Sequence, residues 1–204
     1  MVVPVVLAAG DSTRIGHPKA LLPLGAETFL THILGKLRAL ALPDPIVVLG
    51  AHAEVIRKEL ALRDARAVIN PNPEGGQLSS LKLALDCMGG AEACLIWPVD
   101  QPLVSAGLVR DLMELFLTSG ALLAMPAWGT RKGHPAIFHQ ALFEELRRAP
   151  SAEGAKSVVV RYAEKTALLP TEEIGAFEDI DTPEDYYRLM GAELESALRR
   201  GGMR

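Results

Sequence analysis

The chain has 204 residues, and at about 150 residues per domain this length favours one large domain. Hydrophobic residues make up 49% of the sequence and charged residues 23%, which is typical of a globular protein and excludes a disordered or fibrous one. The formal net charge is −4 and the sequence contains no basic block, so we expect no nucleic-acid partner.

Two cysteines occur, Cys87 and Cys94, and their spacing is typical neither of a disulfide framework nor of a zinc site. We therefore expect two reduced thiols. The apolar segment at residues 2–10 has no basic region before it and is far shorter than the roughly 20 residues of a membrane-spanning helix. The sequence thus predicts a cytoplasmic protein with no membrane partner.

Short apolar runs alternate with amphipathic stretches along the chain. Strands are predicted at residues 2–7, 46–50, 67–70, 93–100, 121–125 and 135–138. Helices are predicted at residues 28–40, 55–62, 81–88, 108–117, from about 139, and at 184–200. This alternation predicts an α/β fold with an open, mostly parallel, Rossmann-like sheet and helices on both faces. No repeat or linker interrupts the pattern, so residues 1–204 are expected to form a single domain.

In a sheet of this kind, ligands bind outside the carboxyl ends of the strands. Three polar loops follow predicted strands, at residues 10–19, 70–80 and 100–102. We therefore expect these three loops to gather at one edge of the sheet and to form the binding site.

The first of these loops combines small residues with two cations. Gly10 and Gly16 flank Arg14, Ser12 supplies a hydroxyl group, and Lys19 follows. Successive backbone N–H groups together with two cations suit a polyphosphate. The spacing is neither that of a Walker A loop nor the GxGxxG of a dinucleotide fold. The residues by themselves predict a phosphate-binding loop, the alternative being an exposed loop with scattered charges.

Acidic residues at two places are candidate metal ligands. Asp100 ends a buried apolar strand, where a carboxylate is costly unless it is paired or binds a cation. It is a candidate ligand of Mg²⁺, which proteins often hold by one or two carboxylates plus substrate phosphates, or else a cap of the following turn. Asp179 and Asp181 are a second source of ligands, although the segment 181–185, DTPED, is equally typical of a helix start.

Several segments together resemble one family. Residues 7–25, LAAGDSTRIGHPKALLPLG, are similar to the signature loop of the nucleotidyltransferases related to MobA and MocA. Segments along almost the whole chain resemble further motifs of that family, at residues 70–81, 99–102, 132–138 and 179–186. The resemblance is greatest to the molybdenum cofactor cytidylyltransferases. It implies a nucleotide-diphospho-sugar-transferase-like fold and transfer of CMP from CTP to the phosphate of molybdopterin, with Mg²⁺ as cofactor and pyrophosphate as product.

The resemblance also implies roles for individual residues. Arg14, Lys19 and Asp100 would be catalytic, and Asp100 would bind Mg²⁺ with Asp181 or, alternatively, Asp179. The nucleotide would contact Leu7, Ala8, Ala9, Gly10, Ser12, Arg14, Lys19, Gly76, Gln77 and Ser80. The acceptor would contact Lys156 and His134, a residue that by its sequence alone is more typical of a structural hydrogen bond. Residues up to about 104 would thus bind mainly the nucleotide, and the remainder mainly the acceptor.

The choice of base depends on the first loop. Within this family an LAGG loop usually goes with guanine and an LAAG loop with cytosine, and this chain has LAAG, so the resemblance implies CTP. One alternative is a guanylyltransferase of the MobA type that uses GTP, or a nucleotidyltransferase for another phosphorylated small molecule. An alternative of a different class is a non-catalytic chaperone that binds nucleotide or cofactor and passes the cofactor to a molybdoenzyme.

Overall fold

The computed structural model describes residues 1–200, and one eight-stranded sheet forms its centre. The strands are β1 (Val2–Ala8), β2 (Pro23–Leu24), β3 (Glu27–Thr28), β4 (Ile46–Leu49), β5 (Arg66–Ile69), β6 (Ala93–Pro98), β7 (Leu123–Trp128), β8 (Arg131–Lys132), β9 (Ala136–His139) and β10 (Thr166–Pro170). The α-helices are α1 (Phe29–Ala39), α2 (Ala53–Glu59), α3 (Gly76–Asp86), α4 (Ala106–Ser119), α5 (Phe143–Arg148), α6 (Lys156–Arg161), α7 (Pro183–Met190) and α8 (Leu194–Arg200). Short 3₁₀ turns lie at Lys19–Leu21, Pro73–Gly75, Gln140–Leu142, Ala163–Lys165 and Ile174–Ala176.

The strand order in the sheet is β10-β7-β9-β6-β1-β4-β5, with the short β8 paired to β7. β1 pairs in parallel with β4 and β6, β4 with β5, and β10 with β7. β9 is antiparallel to both of its neighbours, β6 and β7. β2 and β3 form a separate two-stranded ribbon. The predicted open, mostly parallel sheet is therefore confirmed.

Side chains of the central strand β1 point alternately into two hydrophobic clusters, one on each face of the sheet. Val6 belongs to a cluster with helices α1, α4 and α7, whereas Val5 belongs to a cluster with α3 and α5. Every residue of β1 and β4 is buried, as expected for parallel strands covered on both faces. Among residues 1–200, no helix has the length and apolar character that a membrane crossing needs.

The segment 181–185 contains the start of helix α7, and Asp181 lies outside that helix. Thr182 caps α7 by accepting a hydrogen bond from the backbone N–H of Asp185, and the Asp185 side chain accepts one in return from the Thr182 backbone. Pro183 occupies the first helical position. Because Thr182 is the cap, Asp181 remains available to the site described below.

The structure also contains elements that the sequence analysis did not predict, namely β2, β3, β8 and α6. Three further differences have a clear physical reason. Helix α3 begins at Gly76 instead of near Leu81, because its first residues, Gly-Gln, carry no apolar periodicity. The predicted terminal helix is two helices, interrupted at Gly191, whose φ of 67° is left-handed. Strand β10 was not predicted because it forms a half-exposed edge of the sheet and lacks the continuous apolar run of a buried strand.

Candidate active site

The carboxyl ends of β1, β5 and β6 meet at one edge of the sheet, and the loops that follow them border a cavity of about 280 Å³. The three loops expected to gather there do so. The structure places in its lining every residue expected to bind nucleotide or metal, apart from the alternative ligand Asp179: Leu7, Ala8, Ala9, Gly10, Ser12, Arg14, Lys19, Gly76, Gln77, Ser80, Asp100 and Asp181.

The loop after β1 is folded around Ser12. The Ser12 carbonyl accepts a hydrogen bond of 2.9 Å from the backbone N–H of Gly16, and its hydroxyl oxygen accepts one of 3.1 Å from the backbone N–H of Lys19. Ser12 has a φ of 56°, a left-handed conformation that costs a non-glycine residue about 1 kcal/mol or more. Such strain is concentrated at binding and catalytic sites, and here it turns the loop so that Arg14 and Lys19 both line the cavity.

Gly50, directly after β4, allows the end of β1 to approach closely. A β-carbon at Gly50 would lie 2.1 Å from the carbonyl oxygen of Ala9, which is far inside van der Waals contact. Two residues later, Nε2 of His52 lies 2.7 Å from the carbonyl oxygen of Asp11, and His52 lines the cavity. Sequence reasoning gave His52 no role. The signal that could have found it is its place directly after β4, the strand next to β1.

We expect Gly50→Ala to lower the free energy of unfolding by about 1–3 kcal/mol, because the new methyl group must push the Ala9 backbone aside. The same displacement should weaken nucleotide binding, which urea denaturation and a nucleotide titration would measure. Gly35→Ala in α1 is the matched control, since its β-carbon would meet nothing closer than Glu27 Oε1 at 3.8 Å. Equal stability in the two variants would contradict the close approach of β1 and β4.

Lys19 joins two carboxylates that lie far apart in the sequence, one in the middle of the chain and one near its C-terminal end. Its Nζ lies 2.8 Å from Asp100 Oδ2 and also contacts Asp181 Oδ1. Arg14 Nη2 lies 2.9 Å from the other oxygen of Asp181. Burial lowers the pKa of Lys19, but attraction to Asp100 and Asp181 outweighs burial and raises it above its ordinary value. Lys19 therefore stays cationic, with only 14% of its side chain exposed.

The structure separates the two candidate partners of Asp100. Asp181 lines the cavity, whereas Asp179 does not and instead accepts a hydrogen bond of 2.7 Å from Gln101 Nε2. Burial, followed by the negative charge of Asp100, raises the pKa of Asp179. Asp181 is therefore the carboxylate that shares the cavity with Asp100.

These two carboxylates suit a hard divalent cation. Asp100 Oδ1 is buried and has no hydrogen-bond partner among residues 1–200, which is costly for a carboxylate oxygen unless a cation completes its environment. Within residues 1–200 no cluster of three or more His, Cys, Asp or Glu side chains is arranged to hold a metal. The protein thus offers Asp100 and Asp181, and substrate phosphates would supply the remaining ligands, as is usual for Mg²⁺.

A second cavity, of about 690 Å³, adjoins the first and shares Leu7, Gly76 and Gln77 with it. His134 and Lys156, the two expected acceptor contacts, both line this second cavity. Burial lowers the pKa of His134, although the nearby charge of Asp100 partly opposes this shift. The imidazole is therefore predominantly neutral at pH 7. The remaining lining is largely apolar and includes Leu81, Ile96, Met125 and Phe138.

An open α/β sheet with a glycine-containing loop, a part-buried lysine and two carboxylates around one cavity is the arrangement expected of a nucleotidyltransferase domain. Residues 4–166 match the family model described as "MobA-like NTP transferase domain". The chain belongs to this family and is a nucleotidyltransferase, as its sequence predicted.

Two named relatives agree with this assignment, and two solved structures share the fold. The chain is 32% identical to "Probable molybdenum cofactor guanylyltransferase" of Mycobacterium avium over 76% of this chain and 77% of that protein. It is 30% identical to "Molybdenum cofactor guanylyltransferase" of Rhizobium meliloti over 89% of this chain and 87% of that protein. The crystal structure of Rv0371c from Mycobacterium tuberculosis is 29% identical, with a TM-score of 0.83 over 94% of this chain and 97% of that one. A complex of Rv0371c with manganese has also been solved, with 28% identity and a TM-score of 0.77 over 94% of this chain and 98% of that one.

The expected fold and family are therefore confirmed, but the expected base is not. The two relatives named above carry guanylyltransferase names. These names agree better with the guanylyl alternative than with the cytidylyl specificity that the LAAG loop implies.

Proposed function

We propose that this nucleotidyltransferase moves a nucleoside monophosphate from an NTP to the phosphate group of molybdopterin and releases pyrophosphate. The observation that supports this proposal is the pair of adjoining cavities with Lys19, Asp100 and Asp181 in the smaller one. A triphosphate in the smaller cavity and a phosphorylated acceptor in the larger one would meet where the two cavities share Gly76 and Gln77.

We assign nucleotide binding to the smaller cavity and acceptor binding to the larger one. The nucleotide-binding residues come from the chain up to about residue 104, and His134 and Lys156 in the second cavity bind the acceptor. Asp181 is the exception, because it lies in the C-terminal part of the chain, just before α7, and still lines the nucleotide cavity. The largely apolar lining of the second cavity suits a flat organic ring, and the Lys156 ammonium group suits its phosphate.

Catalysis by these residues consists of positioning and charge neutralisation. The acceptor phosphate is already ionised at neutral pH, so no serine, cysteine or histidine base is required. Backbone groups of Ala8 to Gly10 hold the nucleotide, and Arg14 and Lys19 offset the charge of the triphosphate. Lys19, nearest to both carboxylates, meets the negative charge that develops on the transferred phosphoryl group. Asp100 and Asp181 hold a divalent cation, which when bound neutralises and orients the phosphates.

We propose Mg²⁺ as this cation, because two carboxylates completed by phosphate oxygens are a typical magnesium site. The manganese complex of Rv0371c supports a divalent cation, and Mn²⁺ is therefore a suitable spectroscopic replacement.

We propose GTP as the nucleotide, on the strength of the two guanylyltransferase relatives. CTP is the second candidate, and Ala9 is the observation that favours it, since this residue makes the loop LAAG and not LAGG. Ala9 is 6% exposed and lines the nucleotide cavity. A single methyl group at this position thus bears on the shape of the pocket.

Pyrophosphate release from GTP, CTP, ATP and UTP tests these proposals, measured with Mg²⁺ in the presence and absence of molybdopterin. We expect release with GTP only when molybdopterin is present, together with a dinucleotide product in the mass spectrum. Release confined to CTP would instead assign the cytidylyl specificity. Tight nucleotide binding without turnover on molybdopterin would overturn the proposed acceptor, and other phosphorylated acceptors would then separate a different transferase from a non-catalytic cofactor chaperone.

A further inference from the structure

Lys36 is a half-buried lysine of α1 that the mechanism above does not use. Its Nζ donates hydrogen bonds to two backbone carbonyls of one loop, that of Pro102 at 2.7 Å and that of Val104 at 2.6 Å. The same nitrogen lies 6.0 Å from the centre of the Trp97 ring, within the range of a cation–π contact. Among the described residues, no carboxylate forms a salt bridge with it.

The loop that Lys36 holds is the one that carries Asp100. Other elements satisfy two further carbonyls of this loop: Trp97 Nε1 donates to the carbonyl of Gln101 at 2.9 Å, and the backbone N–H of Ile180 donates to that of Asp100 at 2.9 Å. Lys36, Trp97 and Ile180 together hold the backbone from residue 100 to residue 104, and Lys36 is the donor that comes from α1.

This fixed backbone matters because the Asp100 side chain is poorly anchored by itself. In the part of the chain that the structure describes, its Oδ1 atom has no hydrogen-bond partner, and its Oδ2 atom is held by Lys19. The proposed mechanism commits Lys19 to the triphosphate, so the direction of the Asp100 carboxylate must then be set by its backbone. We infer that Lys36 is a positioning residue, whose ammonium group holds residues 100–104 so that Asp100 points at the bound cation. This inference rests on the proposed function.

A charged amine serves this purpose better than a neutral one, because an ammonium group makes stronger hydrogen bonds to carbonyls and is attracted to the indole ring. Burial lowers the pKa of Lys36 to about 8, with Glu173 and Glu27 partly opposing the shift. Glu173 is bound to Ser105 at the start of α4, and Glu27 is paired with His32 on the preceding turn of α1. The charge of Lys36 is therefore present below pH 8 and lost as the pH rises through this value.

The test uses inorganic tripolyphosphate, which has no base, and compares its affinity with and without Mn²⁺ by calorimetry. We expect Lys36→Met to weaken binding of the manganese complex about tenfold, as is typical when a residue that orients a metal ligand is removed. Binding of metal-free tripolyphosphate should stay unchanged. Lys82→Met is the matched control, because Lys82 also donates to a backbone carbonyl, that of Ala149 at 3.0 Å, but lies outside both cavities.

Lys36→Arg supplies a second readout, since arginine keeps its charge at every pH used. In the wild-type protein, the gain in tripolyphosphate affinity that Mn²⁺ produces should become smaller above about pH 8. In Lys36→Arg this gain should persist at the same pH. A folded Lys36→Met variant that keeps the full Mn²⁺ advantage would overturn the inference, as would an arginine variant with the wild-type pH profile. Wild-type protein that shows these Mn²⁺ effects but transfers no nucleotide would overturn the proposed reaction alone.

Discussion

Replacing Asp100 by alanine is expected to abolish turnover and leave the fold intact. The carboxylate lines the smaller cavity, and its buried Oδ1 atom has no hydrogen-bond partner among the described residues. Without Asp100 the cation would lose one of its two proposed protein ligands, which should lower kcat by a factor on the order of 10³ or more. Stability should hold, because Lys19 keeps its ion pair with Asp181 and a buried, unsatisfied oxygen is removed. Steady-state pyrophosphate release and thermal melting measure the two effects.

Asp111→Ala is the matched control for Asp100→Ala. Asp111 is an exposed residue of α4, and its removal changes the net charge of the protein by the same amount. We expect wild-type turnover in this variant. Undiminished activity of Asp100→Ala would eliminate Asp100 as a metal ligand, and an equal loss in both variants would point to a general effect of charge.

Replacing Lys19 by alanine is expected to lower kcat about 10²–10³-fold, while nucleotide affinity falls much less. The reason is that negative charge on the transferred group is greatest in the transition state, where the ammonium group contributes most. A nucleotide titration beside steady-state kinetics separates the two quantities. Lys58→Ala, at an exposed position of α2, controls for the loss of one positive charge.

Stability provides a second readout for the Lys19 variant. Without the ammonium group, Asp100 loses its ion pair and lies beside Asp181, which keeps its ion pair with Arg14, so the free energy of unfolding should fall at neutral pH. Equal losses of kcat and nucleotide affinity would show that Lys19 serves ground-state binding only.

The sequence predicted the sheet and most of the nucleotide cavity because both follow from local pattern. A continuous apolar strand such as β1 can be recognised from its sequence alone. The rule that ligands bind at the carboxyl ends of strands then indicates the loops that begin at Gly10 and Asp100. The same rule applied to β4 would have included His52. The sequence pattern, however, contained nothing that singled out the loop after β4.

The remaining features depend on contacts between distant parts of the chain. Asp179 and Asp181 are equivalent in sequence, and what separates them is that Gln101, some 78 positions away, binds one of the two. Lys36 resembles an ordinary surface lysine on an amphipathic helix until the structure places the carbonyls of Pro102 and Val104 against it. Helical periodicity predicts which face is buried, but it does not show what that face will meet.

The cluster of four charged groups that includes Lys19 has a consequence for the order in which substrates arrive. Arg14 and Lys19 carry two positive charges, and Asp100 and Asp181 carry two negative ones, so the quartet is electroneutral. A bare divalent ion approaching it meets as much repulsion as attraction. The triphosphate, in contrast, offers the two cations a new partner and thereby frees the carboxylates. We therefore expect the ion to enter already complexed to the nucleotide, as part of the incoming substrate, and not to wait in the free enzyme.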